Sequence, residues 1–325
     1  MKSLQRTTRN TVLMLLIVFV SHVFIRCIAQ VQPDSQSAPI LVPLEDSLHR
    51  AESLIADSDF KNAQIFLEAY LSLHPTSANA HFLLAYSLLR LDKPDASLAE
   101  YTRAAKLRIP SAVDLEHVAQ DYVLLNDDTD AEKWMTRAVQ MNERDANAWY
   151  GLGRIEYTRQ KFALAITCFQ RALELQPESV KAENNLGLAY EALYRISEAE
   201  NAYRTALEWQ KTSTHPSEQP MLNLASLLLD QGKLDEAESL LLKAIKIAPL
   251  DPKIHERLGH AYMQDGQFEK AQVEFERDVE ISPNSGAFHY MLAQAYRREG
   301  LNGKAELEFK RAAELNGSKS TPSAK

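Results

Sequence analysis

The chain has 325 residues, 45% hydrophobic and 25% charged, with 10 glycines and a formal net charge of −8 at pH 7. Few glycines together with abundant Ala, Leu and Glu is the profile of a soluble helical protein. The acidic balance, without a Lys/Arg cluster or an interleaved aromatic platform, argues against nucleic acid as a partner.

Residues 1–29 read as an export signal. Lys2, Arg6 and Arg9 make a basic start, "TVLMLLIVFVSHVFI" supplies an apolar core, and "CIA" leads to a cleavage expected after Ala29. The alternative is an uncleaved N-terminal membrane anchor. The apolar run is interrupted by Ser21 and His22 and ended by Arg26, which is short of the ~20 apolar residues a spanning helix needs. Cleavage removes four basic side chains and no acidic ones, so the net charge moves from −8 to −12. It also leaves Cys168 as the single cysteine, so the mature chain has no internal disulfide. The expected location is periplasmic or secreted, or the membrane surface if the segment is retained. Residues 30–43 read as a linker.

From residue 44 onward one period governs the chain. Ala63, Ser97, Ala131, Ala165 and Ala199 are each 34 apart, and after a four-residue slip Ala237, Ala271 and Ala305 resume the same step. Twelve residues before each stands a second small residue: Ala51, Ala85, Ala119, Gly153, Gly187, Ala225, Gly259 and Ala293. Four residues after come large apolar groups, Leu67, Tyr101, Met135, Phe169, Tyr203, Leu241, Phe275 and Phe309. Small residues let two helices approach and large ones fill the space between layers, so each unit is a pair of antiparallel helices. In "QGKLDEA", "DGQFEKA" and "EGLNGKA" a glycine follows a helix end, where a left-handed residue closes the backbone. Pro75, Pro177, Pro249 and Pro283 stop the second helix of their units.

The pattern resembles the tetratricopeptide repeat family. "AWYGLGRIEYTRQKFALAITCFQRALELQPES" carries Trp149, Leu152, Gly153, Ala165, Phe169, Ala172 and Pro177 at the signature places. Eight units fit, at 44–77, 78–111, 112–145, 146–179, 180–213, 218–251, 252–285 and 286–319. The resemblance implies an all-α fold, a right-handed superhelical solenoid of antiparallel helix pairs. Two departures stand out. Glu156 and Asp278 replace a large apolar and a small residue, and are expected to loosen their units or to sit at the edge. "STHPSEQP", residues 213–220, holds the insertion and is expected to bulge as a loop. The chain closes in "NGSKSTPSAK", which reads as disordered, with residues 320–325 as free tail.

"HERLGH", His255 to His260, has the look of a metalloprotease signature with the wrong spacing. Ligands four apart on a helix reach one ion, whereas these are five apart and diverge by about 140° at roughly 100° per residue. His255 falls in register with His81 and His289, where the family has Trp or another bulky group, so a packing role is expected; His260 faces the other exposed side. Cys168 sits on a buried helical face, a structural thiol. Asp127-Asp128 and Asp235-Glu236 lie in inter-helix turns, where solvated charge is the ordinary reading. These residues imply no catalysis, cofactor or metal. The alternative from another class is an accessory subunit or a repeat-built hydrolase.

Binding is what the architecture implies. In the family, the concave groove formed by the first helices takes extended peptides or a partner's helix. By register the groove is lined by Phe82, Tyr86 and Arg90, by Glu116 and Gln120, by Tyr150, Arg154 and Tyr157, by Lys181, Asn184, Asn185 and Leu188, and later by His260, Met263, Tyr290, Gln294 and Arg297. Aromatics beside cations suit peptide capture. Arg154, Lys181, Asn184 and Asn185 gather basic and amide groups at one step of an acidic wall, so an acidic or C-terminal peptide is the sharpest expectation. Self-association through the last unit is a second expected contact.

Overall fold

In the computed structural model, residues 44–318 are described; the expected export segment, linker and final tail lie outside them. The described residues form sixteen α-helices and no strand. In chain order they are α1 (Leu44–Ala56), α2 (Phe60–Leu73), α3 (Ala78–Arg90), α4 (Pro94–Leu107), α5 (Ala112–Leu124), α6 (Asp128–Met141), α7 (Ala146–Thr158) and α8 (Phe162–Leu175). There follow α9 (Val180–Ala192), α10 (Ile196–Trp209), α11 (Gln219–Asp230), α12 (Leu234–Ile247), α13 (Pro252–Gln264), α14 (Phe268–Ile281), α15 (Gly286–Arg298) and α16 (Asn302–Ser318). The chain divides into two units between Arg50 and Ala51. Of the first unit the described residues are the opening turns of α1; the second is an all-α solenoid in which consecutive helices pair.

The small and large positions of the period meet in this second unit. Ala85, Ala119, Gly153, Gly187, Ala225, Gly259 and Ala293 are buried on the first helix of each pair, and Tyr101, Met135, Phe169, Tyr203, Leu241 and Phe275 are buried on the second. Where the small residue is glycine the approach is closest. A Cβ on Gly153, Gly187 or Gly259 would lie 2.6, 2.5 or 2.4 Å from the ring of Phe169, Tyr203 or Phe275, sixteen residues ahead.

Every intra-pair turn carries one left-handed residue. Gly232, Gly266 and Gly300 occupy it with φ of 73°, 75° and 82°. The other pairs do the same with side chains present, at Ser58, Asp92, Asn126, Gln160 and Tyr194, with φ between 58° and 61°. An L-residue in this region carries a steric cost that glycine avoids. Tyr194 is 89% exposed, so its ring recovers little by packing. Tyr194→Gly is therefore expected to raise unfolding free energy by about 0.5–1 kcal/mol, allowing for the greater unfolded-state entropy of glycine. Urea titration at constant m checks it.

The histidine register does more than fill space. In His81, His255 and His289, Nε2 lies 3.0, 3.1 and 3.0 Å from the carbonyl oxygens of Pro75, Pro249 and Pro283, at the end of the preceding unit. Nδ1 of each lies 2.6, 2.7 and 2.5 Å from Oε2 of Glu100, Glu274 and Glu308 on the second helix of its own unit. One imidazole thus ties three elements together. Trp149, in the same register, keeps only the first tie, its Nε1–H donating to the Glu143 carbonyl at 3.0 Å. Glu274 raises the pKa of His255 above its ordinary value. A raised histidine stabilises the fold fully below its unfolded pKa, and that stabilisation is lost as pH rises through the folded one.

Three expectations are corrected. Glu156 and Asp278 are not at an edge: they are 5% and 0% exposed. Glu156 keeps an ion pair with Lys161 at 3.4 Å, whereas both Asp278 carboxyl oxygens lack a hydrogen-bond partner among the described residues. The register places them on the inward face, and helix geometry leaves no way out. Third, the closing run is helical through Asn316, Gly317 and Ser318. Gly286 permits this, because its missing Cβ leaves room for Asn316 Oδ1, 2.5 Å from where that Cβ would be.

The insertion is partly structured. A 3₁₀ turn, Gln210–Thr212, extends α10, and α11 starts at Gln219. Gln210 is buried and its Oε1 accepts from the Ser217 backbone N–H at 3.1 Å, which pins the loop between them.

Candidate functional site

The first helices α3, α5, α7 and α9 carry the polar face of the array because their small residues are turned to the second helices. Between them lies an open groove of about 800 Å³ whose lining includes Arg90, Glu116, Gln120, Tyr150, Arg154 and Lys181. Arg90, Arg154 and Lys181 are exposed, and none is in an ion pair with a described residue. Asp92 and Asp128 also reach the lining, so the groove carries both signs of charge.

Two of the three cations are oriented by aromatic rings. Arg90 lies over Phe60, 4.6 Å from the ring centre, and donates from Nη1 to the Tyr86 hydroxyl at 2.9 Å. Tyr86 stacks on His117 at 4.5 Å. Burial pushes the His117 imidazole down to about 4, so the stacked ring is neutral. Lys181 Nζ stands 4.9 Å from the centre of the Tyr150 ring. Asn185 Nδ2 donates to the Tyr150 hydroxyl at 3.1 Å and to the Lys181 carbonyl at 2.8 Å, fixing α7 against α9. A cation over a ring face keeps its outward N–H groups for an acceptor.

Glu116 is the anionic counterpart. It is 8% exposed, its Oε1 has no partner among the described residues, and burial, with Asp145 adding, pushes its carboxyl up to about 7. Near neutral pH it therefore exists in both protonation states, and a bound cation would favour the charged one.

The other lining residues named from the sequence are distributed differently. Phe82 is a correction: it is 6% exposed, 6.1 Å from the Tyr101 ring, and covered by the Arg108 guanidinium at 4.3 Å. Its size drew it inward, so Arg108 presents the surface there. Asn184 is also buried, accepting from Asn223 Nδ2 at 2.9 Å, and it positions α9 against α11. Tyr157 borders a different cavity together with Leu188 and Tyr194. His260, Tyr290, Gln294 and Arg297 belong to α13 and α15. The His260 ring meets Phe275 edge-on at 5.6 Å, and Tyr290 meets Phe309 at 5.4 Å. His255 and His260 thus engage different neighbours, as their spacing requires.

A feature that the register did not reveal adjoins the groove. The loop after α10 walls a second cavity of about 480 Å³, lined by Tyr150, Lys181, Asn184 and Asn185 on one side and by Gln210, His215 and Ser217 on the other. The readable signal was the insertion itself, which directly follows the unit bearing Lys181. Cys168 is 5% exposed, and burial pushes its thiol up to about 12, so it remains the inert thiol its position suggested.

Comparison with known proteins agrees with this architecture. Tetratricopeptide repeat models match residues 48–112 and 119–166, residues 181–213 and 287–319, and residues 228–295, and a TPR repeat model matches 153–193. The peroxisomal targeting signal receptor of Candida albicans is 27% identical over 189 residues, covering 56% of this chain and 31% of that protein. Human protein O-mannosyl-transferase TMTC3 is 28% identical over 123 residues, covering 34% of this chain and 13% of that protein. The chain spans less than a third of the length of these relatives. The crystal structure of a tetratricopeptide repeat protein from Parabacteroides merdae superposes with a TM-score of 0.61 at 18% identity, covering 77% of this chain and 98% of that one, which is a likeness of fold.

Proposed function

Because the chain belongs to the tetratricopeptide repeat family, whose fold is consistent with protein–protein interaction, we propose that it is a non-catalytic scaffold that captures an acidic segment of a partner protein. The observation that carries this reading is the groove between α3 and α9, where Arg90, Arg154 and Lys181 stand exposed without an ion pair to any described residue and Tyr150 backs Lys181. In a chain with a net charge of −8, unneutralised cations on one wall give an acidic peptide a handle, and the adjoining rings give contact area. That the Candida albicans relative is a targeting signal receptor supports a peptide-binding role. The mannosyl-transferase likeness covers 13% of that enzyme.

Fluorescence anisotropy with labelled acidic and charge-reversed peptides tests the proposal. Arg154→Ala with Lys181→Ala is expected to weaken the acidic peptide at least tenfold, since charge-assisted bonds are worth about 1.5–3 kcal/mol each. Equal binding by wild type and variant would remove the groove as the working surface.

The same reading places the protein beyond the cytoplasmic membrane, supported by the basic start and apolar run of residues 1–29. The mass of the native N-terminus separates a cleaved signal from a retained anchor.

A further inference from the structure

The cavity walled by the loop after α10 is built from donors. None of its lining residues bears a carboxylate, although the protein has 44 acidic residues. Two helices begin at it, α9 through Ser179, Val180 and Lys181 and α11 through Gln219 and Pro220. The Ser179 side chain does not cap α9, so first-turn N–H groups of α9 remain for a ligand, whereas at α11 the Gln219 N–H is taken by Ser217 Oγ and Pro220 has none, so α11 adds chiefly the positive end of its dipole. Lys181 adds a cation. The Ser213 and Ser217 hydroxyl oxygens already accept from the backbone N–H groups of His215 and Gln219, which leaves their O–H groups to donate.

Gln210 adds an independent observation. It lies between this cavity and the one bordered by Arg204 and Glu208, lines both, is 4% exposed, and its Nε2 has no partner among the described residues. The amide cannot turn to find one, because its Oε1 holds the Ser217 N–H and with it the loop. A buried donor left without an acceptor is destabilising, and an incoming acceptor would offset that.

We propose that this cavity is an oxyanion site, taking a carboxylate or a phosphate group. It would stand even if the groove captured no peptide, since the two share only Tyr150 and Lys181. The anion would accept from Lys181 Nζ, Gln210 Nε2 and the first turn of α9, the same kinds of donor that helix N-termini offer to anions elsewhere.

The experiment is an NMR titration of ¹⁵N-labelled protein with inorganic phosphate and, separately, with acetate. A saturable shift of the Gln210 side-chain amide and of the Lys181 and Met221 backbone amides is expected, and the tighter of the two anions identifies the source chemistry. Gln210→Glu keeps the acceptor that holds Ser217 and puts a carboxylate oxygen where the donor was. His215→Asp places a negative charge at an exposed rim position, where folding is not at risk. Both variants are expected to bind at least tenfold more weakly, while Arg154→Ala is expected to bind as wild type. Should Gln210→Glu not fold, His215→Asp decides. Shifts that do not saturate, equal affinity in His215→Asp, or loss of binding in Arg154→Ala would overturn the site, the last by moving it into the groove.

Discussion

Gly259→Val is expected to lower the unfolding free energy by about 3 kcal/mol, the upper end of the cost of overpacking a well-filled core. The new Cβ would fall 2.4 Å from Cε1 of Phe275, a ring that is 1% exposed and packed within the core shared by the fourth to eighth pairs. Both Gly259 and the ring are buried, so neither yields without disturbing its neighbours. Phe275→Leu in the same chain is expected to restore part of the loss, because Ala225 faces Leu241 at the same register. Chemical denaturation of the two single variants and the double variant gives the coupling. Purely additive effects would mean that the two side chains do not meet.

Asp278→Ala is expected to raise stability, by about 1–3 kcal/mol at neutral pH, by removing a buried carboxyl whose two oxygens lack partners. Alanine occupies this place in six of the eight pairs, so the space is already that of a methyl group. The sign of the pH dependence follows from the carboxyl being pushed from 3.8 up to about 8, chiefly by burial, with His255 opposing and Glu256 and Glu274 adding. Between those values the folded chain holds a proton that the unfolded chain has released, so wild-type stability falls as pH rises through the window. The advantage of the alanine variant should therefore be small near pH 4 and largest near pH 8. Thermal melts across that range check it; a difference independent of pH would show that Asp278 does not titrate there. His255 contributes a slope of the same sign and keeps Glu274 in the variant, so some fall with pH should persist.

Much of the fold was legible in the residues. Helices start at Ala78, Ala112, Ala146, Val180, Pro252 and Gly286, each the first residue of a unit counted from the period. The left-handed turns at Gly232, Gly266 and Gly300 were equally plain, since glycine marks them chemically. The matching turns at Gln160 and Tyr194 were not, because nothing in those side chains announces a positive φ. Of the groove, Arg90, Tyr150, Arg154 and Lys181 came from register alone. Phe82 failed because two inward-facing rows flank the groove and a large ring goes to whichever has room.

Sequence alone settled the pairing of helices and where their small and large rows meet, because a 34-residue period of small and large side chains is a statement about one helix against the next. The tertiary structure decided what the polar groups do. His255 reaches back six residues to Pro249 and forward nineteen to Glu274, Asp278 finds no partner, and the loop at 213–218 closes a cavity on Lys181. Those outcomes depend on side-chain reach between pairs and on the path of an irregular loop. A one-dimensional pattern encodes the direction of a side chain but not the distance to what it meets.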